Sequence, residues 1–209
     1  MCWKPTMPIL SNRQYRTLPF STPQQAEKKN KFDSDCYVEG YATTFERYVL
    51  FDDGKNPIYE QFMPECFRDC DMSDIIFQFD HAGKVYARQS NGTLTVEPNE
   101  KGLFVCADLS KTSAARGMYE DIQSGNVNKM SWGFMPDYDS LEYDDKTNTI
   151  IHHRILKIYD VSAVSIPANN DTEIHARNFA NGAIGEVMKE IQKRKNHIKK
   201  IKILLEVTK

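Results

Sequence analysis

The chain has 209 residues, 40% of them apolar, which suits one domain of ordinary size with polar tails rather than two large cores. A formal net charge of −2 gives no global field for nucleic acid or an anionic membrane, and no run of eighteen apolar residues exists to span a bilayer. Five cysteines (Cys2, Cys36, Cys66, Cys70 and Cys106) are an odd number without the spacing of a small disulfide scaffold, which suits reduced thiols.

Residues 1–35 read as a disordered leader. Pro5, Pro8, Pro19 and Pro23 leave no helix or strand period intact, and residues 24–31 are polar. From Cys36 the texture changes to alternating β-formers, and residues 36–178 are assigned to one folded domain. Strands are predicted over 36–42, 48–51 and 58–62, with the turn cluster 52–57 between the last two. Pro64 opens a short predicted helix through Cys70. Cys66 and Cys70 lie four apart on it, but no second ligand pair with zinc spacing follows, so buried or free thiols are the expectation and no metal is assigned.

The stretch 75–81 is a predicted strand ending in Asp80-His81. His81 shares strand parity with Phe77 and Phe79, so the residues leave two readings: a satisfied core histidine, or a general base at a strand end. A hairpin is expected around 98–101, with 103–107 as a central strand. Ser113 is placed as the cap of a helix to about Ser124, with Gly125 past its end and Ala115, Met118, Tyr119 and Ile122 on its buried face.

Ser131 follows in the apolar setting Met130-Ser131-Trp132-Gly133-Phe134, after which 137–148 form an acidic hairpin tip. The span 149–165 reads as one long strand on which His152, Arg154, Leu156, Ile158, Asp160 and Ser162 share a face, barring a bulge. His152 and His153 are adjacent, so on a strand they point apart and cannot share one metal. Residues 179–209 form a predicted basic amphipathic helix, with Ile184, Val187, Met188 and Ile191 on one side and a lysine-rich opposite side.

A serine is a poor nucleophile without a base and a group to orient that base. His81, Ser131 and Asp160 supply one of each, in an order unlike the three familiar triad orders, and no Gly-x-Ser-x-Gly elbow is present. Four blocks carry a family resemblance: Gly40-Tyr41-Ala42, Phe79-Asp80-His81, Met130-Ser131-Trp132-Gly133-Phe134, and the stretch from Asp160-Val161-Ser162 to Pro167-Ala168-Asn169. In this order they resemble the prohead (capsid maturation) serine proteases of tailed phages, over roughly residues 37–177.

The resemblance implies a mainly β fold with α elements, an antiparallel β-barrel of the herpesvirus assemblin type surrounded by helices. It implies a serine endopeptidase without cofactor that cuts capsid protein or scaffold, and itself, inside the immature shell in the host cytoplasm. The expected partners are therefore the major capsid protein, the scaffold and further copies of the chain, with neither nucleic acid nor membrane. By position, His81 and Ser131 match the family's histidine and serine, and Asp160 stands where many members carry glutamate. Assemblin uses a second histidine as third member, which keeps His152 and His153 as lesser candidates. Oxyanion donors are expected in the turn 167–170, with Arg154 and Arg88 as alternatives. The competing reading is a catalytically inactive scaffold- or capsid-binding assembly protein with the same core.

Overall fold

Alternating β-branched, aromatic and polar residues dominate 37–108, and the regular structure of this stretch is strand apart from one short 3-10 turn. The computed structural model describes residues 13–19, 31–52 and 54–165. Along the chain these form β1 (Gln14–Pro19), β2 (Tyr37–Thr44), β3 (Tyr48–Phe51), β4 (Ile58–Phe62), β5 (Ile76–Phe79), β6 (Ala82–Arg88), β7 (Leu94–Pro98) and β8 (Gly102–Asp108). Helix α1 (Ser113–Gln123) follows, then β9 (Lys129–Pro136), β10 (Leu141–Asp144), β11 (Thr149–His152) and β12 (Ile155–Val164). Short 3-10 turns at Pro64–Phe67 and Tyr138–Ser140 complete the described elements.

The fold is mainly β, but the strands do not close into the expected barrel. They form three sheets, ordered β1-β9-β12-β5-β6, β10-β11-β4-β3 and β2-β8-β7. Nor is pairing wholly antiparallel, because β12 runs parallel to β5 and β11 parallel to β4. Among the described residues α1 is the one α-helix, so helices do not surround the sheets. Thr112 rather than Ser113 caps it, its hydroxyl accepting from the Ala115 N–H at 3.0 Å. Ala115, Met118 and Ile122 face inward as their spacing requires. The predicted helix 179–209 lies outside the described residues.

The expectation that prolines forbid a strand before residue 35 fails at β1. Gln14 to Leu18 contain no proline, and Pro19 occupies the end of an edge strand, where a missing donor costs little. β1 lies antiparallel to β9, with Thr17 opposite Ser131, Arg16 opposite Trp132 and Tyr15 opposite Gly133.

The five-stranded sheet has two unlike faces. On one, Met130, Trp132 and Phe134 of β9, Ile158, Val161 and Ala163 of β12 and Phe77 of β5 pack into the main core. Phe62 joins them from β4, its ring 5.2 Å from Trp132 and 5.5 Å from Phe134. Removing a fully buried aromatic of this kind typically costs about 3–5 kcal/mol. The other face carries Ser131, Gly133, Asp160 and Ser162.

The predicted strand 149–165 is in fact two strands, broken at residues 153–154. Two register shifts within β12 leave Leu156 and Tyr159 without a partner on β9. Without the second shift, Ile158 and Asp160 would share a face. With it, Ile158 enters the core opposite Phe134, while Asp160 lies opposite Gly133 on the other face. A bulge of this kind re-aims side chains, and here it delivers a carboxylate to the serine side of the sheet.

Candidate active site

Ser131 lies near the start of β9, the second strand of the five-stranded sheet, between Thr17 of β1 and Ser162 of β12. It is 1% exposed. Asp160 is fully buried two positions along on the neighbouring strand. His81 comes from neither strand. It occupies, with Asp80, the two-residue connection between β5 and β6, and both residues have positive φ, 45° and 56°. Tight hairpins need that backbone, but side chains larger than glycine adopt it at a cost of about 1–2 kcal/mol. The strand parity that would have put His81 with Phe77 and Phe79 therefore ends at Phe79, two residues before His81.

Tertiary bonds hold this turn. The Asp80 N–H donates to the Ala163 carbonyl at 3.0 Å, and its carboxylate accepts from the Ser165 N–H at 3.0 Å and hydroxyl at 2.9 Å. The end of β12 thus fixes the turn that carries the histidine.

The structure brings the three sequence-predicted residues into one hydrogen-bonded chain. His81 Nδ1 lies 2.6 Å from Asp160 Oδ2, and His81 Nε2 lies 2.6 Å from Ser131 Oγ. An ionised carboxylate only accepts, so Nδ1 carries the proton and Nε2 is left to accept from the serine hydroxyl. The Ser162 hydroxyl also donates to Asp160 Oδ2, at 2.7 Å. Burial first, and then the positive charge of Arg13, push the His81 pKa down from 6.5 to about 3. The neighbouring Asp160 carboxylate acts in the opposite direction.

Two features of this site escaped the sequence reading. Arg13, just before β1, pairs through Nη2 with Asp160 Oδ1, the carboxylate oxygen that His81 does not use. Its guanidinium also lies 4.6 Å above the Tyr159 ring, on the bulge residue. Gly133 makes this approach possible. A Cβ there would collide with Asp160 Oδ1 and stand 2.7 Å from Arg13 Nε. A legible signal existed for Gly133, which is two residues from Ser131 and so on the same strand face. None existed for Arg13, which reaches the site only through long-range strand pairing.

The remaining candidates lie elsewhere. His152 is fully buried on the core side of the sheet, with Nε2 2.8 Å from Glu60 Oε1 and its ring stacked 4.5 Å from Phe62. His153 is half-buried at the surface beside Glu142, at 2.8 Å. Neither touches His81, and Asp160 is the carboxylate on its Nδ1. Arg88 pairs with Asp74, and Arg154 with Asp137 at 3.7 Å, both as surface ion pairs. The expected oxyanion turn 167–170 lies outside the described residues. Cys66 and Cys70 are free thiols, and burial drives both away from the thiolate form a metal would need. Among the described residues no group of three or more His, Cys, Asp or Glu is placed to hold a metal. No described helix is long and apolar enough to cross a membrane.

No curated protein and no solved structure matches the chain. A sequence model of the caudovirus prohead serine proteases, however, matches residues 24–185, well over half of the chain and including all three members of the Ser131–His81–Asp160 arrangement. The chain belongs to the family of caudovirus prohead serine proteases, and that membership implies serine protease activity in capsid maturation.

Proposed function

We propose that this chain is the endopeptidase that cuts major capsid protein and scaffold inside the immature prohead, that it also cuts itself, and that it does so with Ser131, His81 and Asp160. The observation that carries the reading is the continuous bond chain from Ser131 Oγ through His81 to Asp160 Oδ2, with both links at 2.6 Å.

In the proposed mechanism, Ser131 Oγ attacks the scissile carbonyl carbon as His81 Nε2 takes the hydroxyl proton. Asp160 holds the ring by its Nδ1–H and stabilises the imidazolium. Collapse of the tetrahedral intermediate breaks the C–N bond, and Nε2–H protonates the departing amine. Water then adds to the acyl-enzyme ester, giving its proton to Nε2, and Ser131 leaves with that proton. The strained turn and its clamp to Ser165 support this role, since they hold the base at a fixed distance from the serine with little reorganisation needed.

The division of the chain extends the reading. Residues 36–178 serve as the protease domain, and the basic segment 179–209 tethers the enzyme, as a homo-oligomer, to acidic helical scaffold. Ser131→Ala co-expressed with capsid protein tests the core of the proposal. Cleavage of capsid protein and of the protease should both vanish while the thermal unfolding midpoint stays near that of the parent. Continued cleavage by the alanine variant would refute the assignment.

A further inference from the structure

The segment entering β1 is wired to both sides of the sheet. Alternation sends Gln14 and Arg16 to the core side, where the Arg16 guanidinium is locked onto Glu60 and donates to Gln14 Oε1 at 2.7 Å. Arg13 and Tyr15 take the other side. The Tyr15 ring lies 4.1 Å from the His81 ring, and Arg13 reaches Asp160. Gly133 leaves open the space through which that ion pair passes. A strand anchored by a buried salt bridge therefore holds a cation on the carboxylate that orients the histidine.

We infer that Arg13 is a positioning residue of the protease: it fixes Asp160 so that Oδ2 faces His81, and its charge keeps His81 in the neutral, proton-accepting form at acid pH. The inference rests on the functional reading above. The physical reason is that one carboxylate meets two potential cations. Asp160 carries a single negative charge, already matched by Arg13 on Oδ1. Protonating His81, bonded to Oδ2, would place a second positive charge on the same carboxylate, in a site where the carboxylate is fully buried and the ring largely so. Among the described residues, the groups facing His81 are few. Asp160 comes from β12, Arg13 and Tyr15 from the β1 segment and Ser131 from β9, while the adjacent Asp80 carboxylate is turned to Ser165. Of these, Arg13 is the one that opposes protonation by charge, and it opposes the effect of Asp160. Such a base also releases its proton readily to the departing amine.

The test compares Arg13→Gln, which removes the charge and keeps polar reach, with Arg13→Lys, which keeps the charge. Cleavage of a capsid-derived peptide is followed from about pH 2.5 to 8, and the His81 ring is titrated by NMR over the same range in full-length chain carrying Ser131→Ala to prevent self-cleavage. The Gln variant should raise both the acid limb of kcat/KM and the His81 midpoint by about 1 pH unit or more, within the range expected for loss of a neighbouring charge. The Lys variant should keep both near the parent. If Arg13 serves only to anchor β1, the Gln variant will lose activity equally at every pH, with a lower unfolding midpoint and an unmoved His81 titration; that result overturns the inference. Absence of cleavage by the unsubstituted chain would instead count against the protease reading, and the NMR titration would still decide the role of Arg13.

Discussion

The same three residue types, an arginine, a carboxylate and a histidine, meet twice in this protein, on either side of the five-stranded sheet, the second time where the four-stranded sheet packs against it. On the serine side, Arg13 and His81 share Asp160. On the core side, Arg16 and His152 share Glu60, whose carboxylate also accepts from the Tyr48 hydroxyl. What separates the sets is the second nitrogen of each imidazole. His81 Nε2 meets a serine hydroxyl, whereas His152 Nδ1 is buried with no hydrogen-bond partner among the described residues. Their backbones differ as well: His81 projects from a strained turn, and His152 ends a strand inside an aromatic cluster with Phe62 and Phe134. A carboxylate–histidine pair becomes reactive or merely structural according to what the free ring nitrogen faces.

The largest expected effect that follows is on catalysis. Asp160→Asn would present an amide N–H to His81 and favour the tautomer protonated on Nε2, which cannot accept the Ser131 proton. Peptide cleavage should fall by about 10⁴-fold, the scale on which a misplaced histidine tautomer acts in a triad. Single-turnover kinetics with the folded variant would measure this. A rate within tenfold of the parent would make the two carboxylate–histidine pairs equivalent and remove the ground for separating them.

The mirror experiment on the core side should move stability instead. Glu60 is fully buried, and although burial alone would raise its carboxyl, the Arg16 charge and four donor contacts hold it below the ordinary carboxylate range. Glu60→Gln keeps the shape but leaves the buried Arg16 cation uncompensated. Breaking one side of a buried pair costs about 3–5 kcal/mol, whatever the net contribution of the intact pair. Urea unfolding should show that loss. Hydrogen exchange should report faster opening of Gln14–Pro19, the strand that Arg16 anchors, and activity per folded molecule should fall far less than in Asp160→Asn.

The two faces were unequally legible in the sequence. Ser131, Trp132 and Phe134 sit on an uninterrupted strand, so period-two reading sorts serine from aromatic core correctly. β12 defeats the same reading, because the unpaired Leu156 and Tyr159 shift the parity by which Asp160 would be placed. Glu60 left a signal that went unused: it shares parity with Ile58 and Phe62, and a carboxylate on an apolar strand face requires buried partners. β1 was hidden for the opposite reason. Its inward residues are Gln14 and Arg16, so its pattern is that of a solvated segment until their partners on other strands are known. Sheet closure depends on which distant strands pair, and no local pattern specified the parallel contacts of β4 with β11 or β5 with β12.

The smallest expected effect concerns acid stability, where the two histidines should act alike despite their different surroundings. Burial lowers the pKa of both His81 and His152, so the folded protein keeps them neutral. In the unfolded chain each binds a proton below about pH 6.5. Between that value and the folded pKa the unfolded state therefore holds more protons, and stability falls as pH drops through the window. Each histidine contributes a slope of up to about 1.4 kcal/mol per pH unit. Glu60 adds to this only lower down: with its folded pKa depressed, its contribution is complete above about pH 4.5 and is lost as pH falls further. Urea unfolding at intervals from pH 7.5 to 4.5 isolates the histidine window. His152→Gln should remove about half of the slope without moving the acid limb of cleavage, and His81→Gln should remove the other half while abolishing cleavage. A slope unchanged by either substitution would mean that both rings are protonated in the folded state. In that case the Asp160–His81 and Glu60–His152 contacts would be ion pairs rather than bonds from a neutral ring, and Ser131 would face a ring nitrogen that already carries its proton.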